Sequence, residues 1–206
     1  MLFRSDSPSL ARHLSMFGEN VALTAGLRWL RAAQGMEAYQ QLRNGEPAGD
    51  AKLVEGVIRF LNETELLPNG AHIDEVTPRE VIFRDGHGSR VPAENLSDGQ
   101  RAVLSMTLEL LRQLSLAHPK RSLFDKAHRA VALPGVVLVD EIDAHLHPTW
   151  QRTIGPWFVR HFPEVQFIVT THSPLVCQAA EAGTVFRLPA PGSDEAAAFI
   201  DGAELS

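Results

Sequence analysis

A single cysteine, Cys177, is all the thiol chemistry this chain contains. It excludes an intrachain disulfide and suits a reducing compartment, and it reads as a small packed residue of a helix before it reads as a nucleophile. Lysine is scarce as well: Lys52, Lys120 and Lys126 are the three present, and arginine supplies the rest of the 19 basic residues. Against 25 acidic residues the formal charge is −6, which argues against a broadly basic nucleic-acid surface while leaving room for a local one. No apolar run is long enough to span a bilayer, and the opening MLFRSDSPSL lacks the apolar core of a signal peptide. These absences predict a cytoplasmic protein without membrane contact. The 206 residues suffice for one sizeable domain, or for one lobe of a larger one.

What is present begins with helical periodicity. Residues 1–18 carry no clear period and read as a polar entry with room for a short helix. From Asn20, a plausible cap, Leu23, Leu27 and Leu30 recur at helical spacing beside Trp29, Ala33 and Met36, which predicts a helix to about Leu42. The turn-rich segment 44–50 breaks it, and Asp50 can cap a second helix carrying Leu53, Val57, Phe60 and Leu61. Residues 1–70 thus read as a helical subdomain without visible chemistry. Then His72, Ile73 and Val76 suit a strand, and residues 80–92 suit two short strands joined by Asp85-Gly86-His87-Gly88. A lone Gly-x-Gly there is better explained by a hairpin than by a phosphate cradle.

The chemistry lies further on. Leu96-Ser97-Asp98-Gly99-Gln100 opens a helix that Ser97 or Asp98 can cap, with Val103, Met106, Leu110, Leu111 and Leu114 keeping the period to about Leu116. A helix amino end with Ser, Gly and Gln at its tip can receive an anion, or can simply be a capped helix. Residues 117–134 are polar and basic and read as a loop with one short helix. Val136, Val137, Leu138 and Val139 follow, an unbroken run that suits a strand buried on both faces of a parallel sheet. Asp140 and Glu141 come directly after it, where open α/β sheets bind their ligands. Asp140 can hold a hydrated Mg²⁺ and Glu141 can orient or deprotonate a water; the plain alternative is a strand that ends in solvated acids. Pro148 starts a helix with Trp150, Ile154, Trp157 and Phe158 on one face, and Gly155-Pro156 is expected to bend it. A second buried-type strand, residues 165–170, runs into Thr171-His172-Ser173-Pro174. A short helix over 175–180 and a strand around 184–188 complete the sheet, and the tail over 190–206 is expected to be loosely ordered.

Three motifs thus occur in a fixed order: LSDGQ, VVLVDE and IVTTHSP. Over about residues 80–188 this resembles the signature, Walker B and switch-histidine half of ABC-type ATPases. DEIDAHLHP with TTHSP looks most like their soluble AAA-labelled branch, related to OLD-family nucleases, SMC proteins and bacterial defence ATPases; transporter subunits match less well. The resemblance implies an α/β fold, the C-terminal lobe of a P-loop ATPase with a parallel-sheet core over 71–189, a signature helix and the N-terminal helical subdomain. It implies ATP and Mg²⁺ as cofactors. Ser97, Gly99 and Gln100 would contact the γ-phosphate of ATP held by a second subunit, in a homo- or hetero-dimer. Asp140 would anchor Mg²⁺ through water, Glu141 would serve as general base, and His172 would bridge the γ-phosphate and the attacking water. Residues Asp143 to His147 would be the D-loop, with His147 in place of its usual final aspartate. Nucleic acid would be reached through a partner.

Two features stand against a direct transfer. The phosphate-cradling Walker A loop, GxxxxGK[ST], is absent, since Ala51, Pro119 and Asp125 precede the three lysines. A partner or another segment must then supply that lobe; alternatively the chain is a non-catalytic regulatory or interaction module that keeps the fold. His145 and His147 with Asp140, Asp143 and His172 also allow a metallohydrolase.

Overall fold

The computed structural model describes residues 19–44, 51–180, 185–189, 192 and 197–200. The expectations for residues 1–18, for an Asp50 cap, for Thr184 and for most of the tail lie outside these residues.

Helix α1 (Glu19–Asn44) begins one residue before the expected cap, so Asn20 lies inside it. It buries Leu23, Leu27 and Leu30 against helix α3 (Asp98–Ala117). The crossing is close at Gly26, where an added Cβ would stand 2.7 Å from Leu108 Cβ. Helix α2 (Ala51–Glu63) contributes Val54, Val57, Phe60 and Leu61 to the same core. Phe60 has no exposed surface, and its ring meets those of Phe124, Trp157 and Phe162 at centroid distances of 5.2, 5.9 and 5.7 Å. Full burial of such a side chain contributes about 1.5–3 kcal/mol. Trp157 Nε1 also donates to Thr64 O at 2.8 Å, tying the end of α2 to a helix almost a hundred residues later.

Strands β1 (His72–Val76), β2 (Val81–Arg84) and β3 (Arg90–Pro92) form an antiparallel sheet in that order. The β2–β3 turn is organised by Asp85, whose Oδ1 accepts from the N–H groups of His87 and Ser89 at 2.9 and 2.8 Å, with Gly88 at φ +85°. The Gly-x-Gly is therefore hairpin chemistry.

The parallel pair is β4 (Gly135–Val139) and β5 (Val165–Val169), joined through α4 (Pro148–His161), which runs through Pro156 as one helix. Their register pairs Gly135 with Val165 and Val139 with Val169. The expected burial on both faces is wrong. Val136, Leu138 and Ile168 are 66, 76 and 52 % exposed, while Val137, Val139 and Phe167 pack on the core. Strand residues alternate between faces, and no described element covers the second one.

Residues 118–134 also differ from expectation: they hold turns and a Phe124–Val131 bridge, with no helix. After α5 (Pro174–Gln178), strand β6 (Val185–Arg187) does not complete the parallel sheet. It pairs antiparallel with β7 (Ala198–Ile200), so the tail expected to be loose contains a strand. Among the described residues no helix is long and apolar enough to cross a membrane.

Candidate functional site

The site grows from the carboxyl ends of β4 and β5. Register brings Thr170 beside the residues that follow Val139, and two backbone rungs fix it there: Thr170 N–H donates to Val139 O at 2.9 Å, and Ile142 N–H to Thr170 O at 3.0 Å. Asp140 is exposed and Glu141 half-buried at this edge. The Thr170 hydroxyl joins them, donating to Asp140 Oδ1 and accepting from the Glu141 N–H at 2.8 Å. Glu141 takes φ +51°, in the left-handed region that non-glycine residues rarely occupy.

The next stretch is a compact turn. Ala144 N–H donates to Glu141 O at 2.9 Å and Leu146 N–H to Asp143 O at 3.1 Å, while Ile142 and Leu146 are buried beneath. His145 is exposed, with φ +60°. His147 ends the turn as the cap of α4: its Nδ1 accepts from Thr149 N–H at 3.3 Å, and Pro148 takes the first helical position. An imidazole here does the capping that an aspartate carboxylate could also do.

The loop around His172 is anchored on both sides of that residue. Thr171 donates its hydroxyl proton to Asp143 Oδ1 and accepts from Ser173 N–H at 2.9 Å. The buried Ser173 hydroxyl donates to Gln151 Oε1 at 2.7 Å, and Gln151 Nε2 donates to Leu146 O at 2.9 Å. His172 itself is exposed between these anchors.

Helix α3 opens with a reciprocal capping box. Gln100 N–H donates to Ser97 Oγ at 3.4 Å, and Gln100 Oε1 accepts from Ser97 N–H at 3.0 Å and from its hydroxyl at 2.9 Å. Ser97 is exposed and Gly99 and Gln100 are half-buried. An added Cβ on Gly99 would lie 3.3 Å from Trp150 Cζ3 and 3.5 Å from His145 O, so the glycine lets the helix tip reach the 143–147 turn.

The structure therefore gathers Asp140, Glu141 and His172 at one sheet edge and sets Ser97, Gly99 and Gln100 at a neighbouring helix tip. Among the described residues no group of three or more His, Cys, Asp or Glu could hold a metal ion, so Asp140, Asp143, His145, His147 and His172 are not brought together as one ligand set. Asp140 and Asp143 accept instead from the Thr170 and Thr171 hydroxyls, and His147 Nδ1 caps α4. A lone exposed carboxylate still fits a hydrated Mg²⁺, which keeps most of its waters and takes one or two protein oxygens. Sequence reasoning missed Thr170, Thr171, Ser173 and Gln151; the threonine doublet at a strand end was their one visible signal.

Parallel strands that deliver paired acids at their carboxyl ends, with helices packed on the sheet, make an α/β fold of the kind that binds ligands at that end. Among solved structures, the crystal structure of an SmcHead bound to the C-winged helix domain of ScpA superposes with a TM-score of 0.51 at 18 % identity, over 81 % of this chain and 49 % of that chain. The chain belongs to the family described as "AAA domain, putative AbiEii toxin, Type IV TA system", which matches residues 31–178. Its curated relatives include the "Retron Ec83 probable ATPase" of Escherichia coli, 36 % identical over 54 % of this chain and 19 % of the relative. The "Retron Vc95 probable ATPase" of Vibrio cholerae serotype O1 biovar El Tor is 41 % identical over 50 % of this chain and 20 % of the relative. Septu protein PtuA of Bacillus mycoides (strain KBAB4) is 35 % identical over 55 % and 15 %. The matches thus cover about half of this chain and no more than about a fifth of these relatives.

Proposed function

We propose that this chain supplies the signature, Walker B and switch-histidine half of an ATP-hydrolysing head, and that a lobe bearing a Walker A loop completes it. That lobe comes from a partner subunit or from another segment of polypeptide. The observation that carries this reading is the register of β4 and β5, which ends Asp140, Glu141 and the Thr170–His172 segment at one edge. The uncovered apolar face of the same two strands supports it, because a further layer would bury Val136, Leu138 and Ile168.

In this reading Glu141 positions and deprotonates the attacking water, and His172 donates a hydrogen bond toward the γ-phosphate. Asp140 would hold Mg²⁺ through its water shell, and the ion would supply positive charge against that of the phosphates. Phosphoryl transfer needs little covalent chemistry from the protein, so placing these groups is most of the catalysis. Ser97, Gly99 and Gln100 stand at a helix amino end, which suits the γ-phosphate of a nucleotide on a second subunit. The head accordingly works as a homo- or hetero-dimer, and any nucleic acid is engaged through a partner.

The test is equilibrium binding and turnover of Mg·ATP by the chain alone and by the chain combined with a Walker A lobe, joined or added in trans. Turnover in the combination alone is expected. Glu141→Gln should retain ATP while lowering turnover by about a hundredfold or more, the range for losing a general base. A combination that binds no Mg·ATP, or a Glu141→Gln head that turns over at the wild-type rate, overturns the proposal.

A further inference from the structure

We infer that Thr170 is a positioning residue of this site, and that its hydroxyl sets the backbone turn from which Glu141 projects. The inference rests on the ATPase reading for its catalytic half and on geometry alone for the rest.

A threonine hydroxyl has one proton to give and lone pairs to receive. Here the proton goes to Asp140 Oδ1 and a lone pair takes the Glu141 N–H at 2.8 Å. One atom on β5's end thus bridges the side chain of the first acid and the backbone of the second. It can do so because its own main chain is held on both sides, by Val139 O at 2.9 Å and by the Ile142 N–H at 3.0 Å. The hydroxyl adds a contact that these rungs do not supply, since they skip Asp140 and Glu141.

Glu141 is where such a contact matters. At φ +51° its backbone occupies a conformation that costs a non-glycine residue on the order of 1–2 kcal/mol, and it persists where the surroundings hold it. Its carbonyl is held by Ala144 N–H at 2.9 Å, and Thr170 Oγ1 holds its N–H. Without the hydroxyl the N–H end of that peptide loses its partner, and the direction of the Glu141 side chain is no longer fixed. Asp140 loses at the same time the donor that engages Oδ1. A change in one hydroxyl group therefore reaches both acids at once, although Thr170 is itself assigned no contact with nucleotide.

Thr170→Val removes the hydroxyl at nearly constant shape on an exposed strand end, and Thr170→Ser restores it. Two readouts separate positioning from mere stability. In the chain alone, amide hydrogen exchange at Glu141 should quicken by about tenfold in Thr170→Val, as losing one hydrogen bond implies. Exchange at Ile142, whose N–H is bound to the Thr170 main chain, should stay unchanged. In the completed head, Thr170→Val should lower kcat by about tenfold or more with KM for ATP within about twofold, and Thr170→Ser should restore most of the loss. Unchanged exchange at Glu141, a loss confined to KM, or a serine variant as slow as valine overturns the inference. A wild-type head that binds Mg·ATP without turning it over sinks the ATPase reading and the catalytic half of this inference together; the exchange result then separates that failure from an error in the placement of Thr170.

Discussion

Gly99 and Trp150 meet at the tip of α3: a Cβ on Gly99 would stand 3.3 Å from Trp150 Cζ3, just inside ordinary contact. The glycine therefore does two things. It lets α3 seat against the 143–147 turn, and it leaves its own backbone open to a ligand. Gly99→Ala gains helix propensity of about 1 kcal/mol and loses a comparable amount to the close contact, so the folding midpoint in urea should move little. Turnover of the completed head should nevertheless fall by about tenfold or more, because a methyl group then stands where a phosphate would approach the amides. Equal ATPase rates for the two proteins would show that the helix tip is a cap and nothing more.

Leu138 is 76 % exposed on the outer face of β4, beside Val136 on its own strand and paired across the register with Ile168. A single exposed leucine is ordinary, but three aliphatic residues on one two-stranded face form a patch that invites cover. Leu138→Glu should leave the isolated chain's stability within about 0.5 kcal/mol, as surface substitutions generally do. It should abolish assembly with the Walker A lobe, measured by sedimentation or size exclusion. Assembly at wild-type strength would place the lobe elsewhere.

His161 makes folding sensitive to acid. Burial beside Trp157, whose ring centroid is 4.8 Å away, pushes its pKa below the ordinary 6.5; the hydrogen bond between Nδ1 and Arg129 O at 2.7 Å acts in the opposite direction, and the charge of Arg160 adds to the lowering. The unfolded chain then takes up a proton near pH 6.5 that the folded chain still refuses. Stability rises with pH wherever the unfolded state binds more protons, so this contribution is present above 6.5 and is lost as pH falls toward the folded value. The drop in Tm between about pH 8 and about pH 5 should be smaller in His161→Gln than in the wild type. Parallel pH profiles would assign the acid sensitivity to another group.

The parts of this molecule that were legible in the sequence are those fixed locally. Ser97 and Gln100 three residues apart write a capping box, and Leu23, Leu27 and Leu30 write a helix face, because both depend on neighbours within one turn. The run Val136–Val139 announces a strand, but its composition cannot say whether the second covering layer belongs to the same chain. Residues 118–134 have no period because distant atoms organise them: Val131 N–H donates to His161 O at 2.8 Å, and Phe124 packs on Phe60. Thr170 escaped notice for the same reason, since its partners lie 29 and 30 residues away and only strand register brings them together. The roles of Asp140, Glu141 and His172 rest on motif order, and the geometry adds how two of them are held.

Glu109 carries the last expectation. It sits in the middle of α3 with 2 % of its surface exposed, and it accepts from Arg112 Nε and from Gln113 Nε2, each at 2.7 Å. The hydrogen bond to Glu109 is also the main reason that the Arg112 guanidinium holds its proton more tightly than usual, with burial acting against it. A buried pair of this kind adds little net stability, yet removing the arginine leaves the carboxylate without its countercharge in a low-dielectric interior. Arg112→Met should therefore destabilise the chain by about 3 kcal/mol, read as a lowered urea midpoint. Adding Glu109→Gln should recover much of that loss, because the charge left behind is then gone. If the double variant were no more stable than Arg112→Met, the cost would lie in lost packing of the arginine stem, and the carboxylate would be adequately held by its remaining partners.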